Sequence, residues 1–265
     1  ADRRNVYEKP DDDGWYGEVL VTGNRILVTS YSYEEDGTKL SVFRIDDSGR
    51  MTGEGAFVIS SNDYYSVDNY ATRMVGDKLV IYSPVHLREI DPDEPVPWPL
   101  VRRWTKNSER AEKEGTPLFD GRGIYKPMQP TLDPVIHTVS VCDIGTASAE
   151  AGLPCRSSAI TGPPSAIFYV SPTDAYLWAP STDSWWQDRC LKDEKQVADG
   201  IPGGLYRLPL SGARAKMMNV KGAPQDQFGV DTSTDEIRGL VMWGNTGCGG
   251  GRDGGGGVLV KYFSW

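Results

Sequence analysis

The chain has 265 residues, enough for one large domain or two small ones. Its 28 Lys and Arg against 37 Asp and Glu leave a formal net charge of −9, which argues against a nucleic-acid partner because phosphate backbones are gripped by clustered cations. No apolar run reaches the roughly 18 residues that a membrane-spanning helix needs, so no membrane span is expected.

Glycine (30), proline (18), tyrosine (13) and tryptophan (8) are frequent, a mixture that favours many short strands joined by turns. The opening "ADRRNVYEKPDDDG" is polar throughout and carries no secretory signal; it reads as the start of a processed or truncated chain. Its Asp11, Asp12 and Asp13 are the candidate ligands for a structural Ca²⁺, although no acidic stretch has the spacing of an EF-hand loop and turns use Asp for its own hydrogen bonds. No other metal and no organic cofactor is expected.

From there the chain repeats itself. "EVLVTGNRILVTSYS" is two apolar strands around the turn Gly23-Asn24; "KLSVFRID" and "GEGAFVISS" continue as third and fourth strands, a unit covering about residues 15–61. The string "NDYYSVDNYATR" follows, in which Asn62, Asp63, Asp68 and Asn69 are expected to tie down the crossing and Tyr64, Tyr65 and Tyr70 to pack it. The second unit, about 69–161, has "ATRMVGDKLVIYSPV" around Gly76-Asp77, then "IHTVSVCDI" and "CRSSAIT", with a long insert over 84–134 between its second and third strands. Inside that insert lies the only basic cluster, "LVRRWTKNSERAEK", interleaved with Glu109, Glu112 and Glu114 and expected to be a solvated loop. The third unit, about 166–221, pairs "AIFYVSPTDAYLWAPS" with "GGLYRLPL" and "AKMMNV"; the fourth, about 227–265, pairs "DQFGVDTSTDEIRGLVMWG" with "GVLVKYFSW" and stops after its third strand.

A four-stranded antiparallel meander repeated with length variation confined to one connection is the pattern of β-propeller blades. A two-layer sandwich or barrel shares the short strands but not the repeated signature in register. The expected fold is therefore all-β, a single β-propeller over residues 1–265 or a fragment of one. Some four blades are present, and a larger ring would be completed by another chain or fragment.

Several stretches resemble a family of bacterial and archaeal secreted proteins that carry a C-terminal β-propeller domain. They are "NDYYSVDNYATRMVGDKLVIYSP", "AIFYVSPTDAYLWAP", "GLYRLPLSG" and "GAPQDQFGVDTSTDEIRGLV", in that order along most of the chain. The resemblance implies a secreted or surface-attached propeller with no assigned catalysis, and it brings no catalytic residues to this sequence.

Four cysteines without a C-x-x-C pair fit disulfides in an oxidising compartment: extracellular, cell-surface or periplasmic. Cys142 ends one strand and Cys155 opens its antiparallel neighbour, within reach of each other. Cys190 and Cys248 lie in matching inserts of the third and fourth units, so the repeat register predicts that they pair. The glycines around Cys248 join two strands rather than cradle phosphate, because no Lys-Ser/Thr ending or helix follows them. Beside Cys190, the insert "APSTDSWWQDRC" sets Trp185 and Trp186 between Asp183 and Asp188. These four residues either pack the insert or form a sugar platform, with rings for stacking and acids for hydroxyl groups. His86 and His137 lack a neighbouring nucleophile-elbow motif and read as packing or surface histidines. The function expected is that of a non-enzymatic, exported scaffold presenting loops to a protein partner. A carbohydrate-binding or glycoside-processing propeller, and a subunit of a larger extracellular assembly, are the alternatives.

Overall fold

In a computed structural model of the chain, residues 15–61, 71–91, 93, 98–104, 111–119, 123–128, 131–180, 202–224, 226–233, 236–243 and 257–264 are described. Among them are nineteen strands, two short 3-10 turns and no α-helix.

The first sheet is a meander of β1 (Trp15–Thr22), β2 (Arg25–Ser32), β3 (Gly37–Ile45) and β4 (Met51–Ser60). Thr22 lies opposite Arg25, so Gly23-Asn24 is a two-residue hairpin; Gly23 has φ 54, the sign that the first central position of such a turn requires. The second sheet starts the same way. In it β5 (Ala71–Val75) and β6 (Lys78–His86) turn at Gly76, with φ 61.

The long insert then leaves. Its β7 (Leu100–Arg103) adds to the edge of β4, and β8 (Thr116–Pro117) adds to β7. Its β9 (Ile124–Tyr125) runs parallel to the last strand of the second sheet. That sheet is completed by β10 (Val135–Asp143) and β11 (Cys155–Gly162), in the order β5-β6-β10-β11-β9. The basic stretch is thus not wholly the solvated loop its charges suggest. Val101 is buried in β7, and Lys39 places its ammonium 3.8 Å from the centre of the Trp104 ring. Alternation within "LVRRW" turns Val101 inward, and strand pairing outweighs the polar composition.

The third sheet is β12 (Ile167–Val170), β13 (Asp174–Pro180), β14 (Pro202–Pro209) and β15 (Lys216–Lys221), each antiparallel to the next. The fourth departs from the sequence expectation. Its first strand is broken into β16 (Ala223–Pro224) and β17 (Val230–Thr232), both paired with β18 (Glu236–Trp243), and β19 (Gly257–Ser264) lies on β18's other side. The break has a local cause. Asp226 accepts hydrogen bonds from the backbone N–H groups of Phe228 and Gly229 and caps a 3-10 turn there.

Contacts divide the chain into two compact units, Ala1–Pro84 with Pro95–Gly123 and Thr138–Ser158, and Val85–Glu94 with Ile124–His137 and Ala159–Trp265. In the first unit Leu27, Leu40, Phe57, Val58, Ile59, Leu79 and Val80 form the core. In the second, the third and fourth sheets meet face to face through Tyr176, Trp178, Leu205, Ile237 and Val241. Trp178 is the centre of that joint. Its ring meets Phe263 edge-on at 5.3 Å, its indole N–H donates to the Gly222 carbonyl at 2.9 Å, and it lies flat enough on β18 that a Cβ on Gly239 would stand 2.8 Å from it.

Gly239→Ala would therefore force the indole off β18. We expect it to lower unfolding stability by about 1–3 kcal/mol, read as a lower urea midpoint with an unchanged m-value. An unaltered midpoint would mean that the two sheets do not meet through this contact.

Candidate functional site

Most residues singled out by the sequence lie outside the described residues: Asp11, Asp12, Asp13, Asp183, Trp185, Trp186, Asp188, Cys190 and Cys248, and with them the string Asn62 to Tyr70. The strands that carry the two inserts are described. The insert with Trp185 and Trp186 runs from Pro180, at the end of β13, to Pro202, at the start of β14, and Pro180 stands opposite Gly203. The glycine-rich insert runs from Trp243 to Gly257, which face each other across β18 and β19. Both are therefore hairpin extensions at the connection between second and third strands of their meanders. They also leave from the same end of the joined sheets: Trp178, two residues before the first insert, bonds to Gly222, whose neighbour Ala223 pairs with Met242 just before the second.

The cysteines of the second sheet do meet. Cys142 and Cys155 form a disulfide with Cα atoms 4.0 Å apart.

The second-to-third connections also make contacts that no motif announced. The short first connection, Tyr33 to Asp36, buries Glu35. Its carboxylate accepts from Arg102 Nη1 at 2.7 Å and from the Ala111 backbone N–H at 2.9 Å, while Arg102 Nη2 donates to the Glu35 carbonyl. Arg102 and Ala111 both belong to the long second insert. In the second unit that same insert reaches the third sheet, where the Met128 backbone N–H donates to the Tyr206 hydroxyl at 3.0 Å. Tyr206 is buried in β14, two residues past Gly204, close to where the tryptophan-bearing insert rejoins the sheet, and burial raises its phenol's pKa. The Glu35–Arg102 pair, 67 residues apart, had no local signal in the sequence. The Tyr206 contact, 78 residues apart, had none either.

The buried charges are neutralised in place. Asp174, at the start of β13, receives a two-pronged bond from Arg207, Nε to Oδ1 and Nη2 to Oδ2, both at 2.9 Å, and a third from the Thr173 hydroxyl at 2.6 Å. Burial alone would push this carboxyl up; Arg207 and Thr173 outweigh it and hold it below the usual carboxylate range. Glu54 on β4 behaves likewise: burial pushes it up, and hydrogen bonds from Arg25 and Arg44 bring it down. Such carboxylates stay ionised and cannot act as proton donors near neutrality.

His137 is a core residue. Its Nε2 lies 2.9 Å from the Pro163 carbonyl, and full burial lowers its pKa to about 4 despite that bond, with His86 adding repulsion. It is neutral at physiological pH, so Nε2–H is the donor.

A small cavity of about 10 Å³ in the first unit is bordered by Thr29, Thr38, Ser61 and Thr72 together with Leu40, Ile59, Leu79 and Ile81. Its hydroxyls are already engaged: Thr72 donates to the Glu18 carboxylate at 2.9 Å, Thr29 accepts from the Glu18 N–H at 2.8 Å, and Thr38 pairs with Ser61 at 2.8 Å. It holds at most one water and no substrate. Among the described residues no group of three or more His, Cys, Asp or Glu is arranged to hold a metal ion.

Two outcomes follow from this geometry. Glu35→Gln removes the charge opposite Arg102, and we expect about 3 kcal/mol of destabilisation in denaturant titrations; a loss below 0.5 kcal/mol would mean that the pair is effectively solvated. Acid should act through His137. Because its folded pKa is depressed, the stability it supports is complete above the unfolded value near 6.5 and is lost as pH falls toward 4, by up to about 3 kcal/mol. His137→Gln should flatten the stability profile over that window, as followed by thermal unfolding from pH 7 to 4.

No family model matches the chain, and no curated protein sequence is significantly similar to it.

Proposed function

We propose that the chain is the β-propeller part of an exported, non-enzymatic scaffold, whose inserts between second and third strands engage a protein partner. The observation that carries this reading is the placement of the inserts. In the second, third and fourth meanders the longest connection lies at the same position, between the second and third strands. Four largely antiparallel sheets follow one another in chain order, as the blades of a propeller would. The disulfide is compatible with an oxidising, extracellular setting; among the described residues no helix is long and apolar enough to cross a membrane. Glu35, Glu54 and Asp174 brace strands.

The division of labour is then plain. The sheets and the long second insert form the frame, and the inserts over 181–201 and 244–256 form the reading surface. The Cys190–Cys248 pairing belongs to this proposal, as a staple between those two inserts. A partner chain that completes the ring would be a further part of the same assembly.

The test uses the register itself. Because Pro180 and Gly203 are cross-strand neighbours, residues 181–201 can be replaced by a short Gly-Asn turn without stretching the sheet. Cross-linking mass spectrometry on the extracellular fraction should place partner cross-links on the inserts of the full chain and lose them in the shortened one, with the melting temperature kept within a few degrees. Cross-links that persist outside 244–256 after shortening would sink the reading. So would glycan hydrolysis by the purified protein that disappears in Asp183→Asn or Asp188→Asn.

A further inference from the structure

The segment that joins β10 to β11 is more than a turn. Its ends are tied twice, by the Cys142–Cys155 disulfide and by the Asp143 N–H to the Pro154 carbonyl at 2.9 Å. Its own backbone is folded back where Ser148 and Gly152 exchange hydrogen bonds of 3.1 and 2.8 Å. Between those ties it reaches out to two other elements. The Ile144 N–H donates to the Asp77 carbonyl, in the turn between β5 and β6, at 2.9 Å; the Ala149 N–H donates to the Glu54 carbonyl, on β4, at 2.8 Å. Glu54 is itself held by Arg25 of β2 and Arg44 of β3. Ile144, Ala147 and Leu153 are buried beneath the segment. One loop of the second sheet therefore grips the first sheet through the strand where three charges meet.

We propose that this loop is an oxidation-set latch. With the disulfide closed, the loop has the shape that bonds Asp77 of its own sheet and Glu54 of the first sheet; with it open, the loop is free to leave both carbonyls. The physical reason is entropy: only two of the loop's backbone hydrogen bonds reach other elements, with three buried apolar side chains beside them, and cross-linking the ends of about a dozen residues removes most of the freedom they would otherwise lose. The two sulfurs differ in a way that suits a switch. Cys142 is fully buried, whereas Cys155, at the start of β11, is half-buried.

Closure then runs through Cys155. Its thiolate attacks a disulfide oxidant, R–S–S–R, forming a mixed disulfide and releasing one R–S⁻. The Cys142 thiolate attacks Cys155 Sγ, forms the internal bond and releases the second R–S⁻. Two thiols are oxidised, the oxidant's disulfide is reduced to two thiols, and the two protons of the cysteines pass to the departing thiolates. A chain synthesised under reducing conditions would thus have this loop locked onto the first sheet only after it reaches oxidising surroundings.

Hydrogen exchange on the whole chain, before and after reduction by a phosphine with both thiols verified by mass, tests the latch. The Ile144 and Ala149 amides should exchange at least tenfold faster in the reduced protein, while the amides of β3 and β6 keep their protection. Cys142→Ala/Cys155→Ala should reproduce the same local pattern without any reductant. Unchanged rates at Ile144 and Ala149 would overturn the proposal. A uniform rise across β3 and β6 as well would also overturn it, because the bond would then be a general staple of the unit and not a latch on one loop.

Discussion

A strand that is apolar on both faces must have a layer on each side, and the rest of this structure is arranged around that constraint. β13 is buried at all seven of its positions, and β6 and β10 come close to the same condition. Along β13, Tyr176 and Trp178 point toward the fourth sheet, where Ile237, Val241 and Phe263 receive them. The alternate residue Ala179 faces the other way, against Gly162 at the end of β11, where His137 also sits. The one charge on the strand, Asp174, is placed at its start and cancelled by Arg207 from the neighbouring strand at once. Were it left unpaired, its burial would cost several kcal/mol.

The same economy governs the polar residues elsewhere. Glu18, Thr29 and Thr72 satisfy one another between β1, β2 and β5, and Thr38 and Ser61 do so nearby, so that hydroxyls line a cavity without demanding a ligand. Glu54 gathers two arginines, and Glu35 one arginine and a backbone N–H. These groups are charged, fixed and fully used. They hold strands in register.

Those connections share a structural logic. A hairpin whose two strands stay paired up to its last residues can carry an insert of almost any length, because the register pair, such as Pro180 with Gly203 or Trp243 with Gly257, absorbs none of the change. The long second insert shows the other use of that freedom. It spends its residues on β7, β8 and β9, adding strands to the first and second sheets, and on the bond from Met128 to Tyr206. An insert can be a brace as readily as a loop.

The sequence by itself determined the strand pairs, their turns and the positions where inserts leave, because these depend on period-two alternation and on turn residues a few positions apart. Gly23-Asn24 and Gly76-Asp77 each close the hairpin their neighbours predict, and Cys142 faces Cys155 because the strands that carry them are adjacent. Tertiary structure decided what local pattern cannot encode. "LVRRW" became a strand between β4 and β8 because β4 had a free side to offer, although its charges read as a loop. The first strand of the fourth meander broke in two because Asp226 found backbone donors two and three residues ahead. Glu35 met Arg102, and Ala149 met Glu54, across separations of 67 and 95 residues, and no periodicity reaches that far. Such contacts exist only once sheets have packed, since they are fixed by which faces need covering rather than by the residues next to them in the chain.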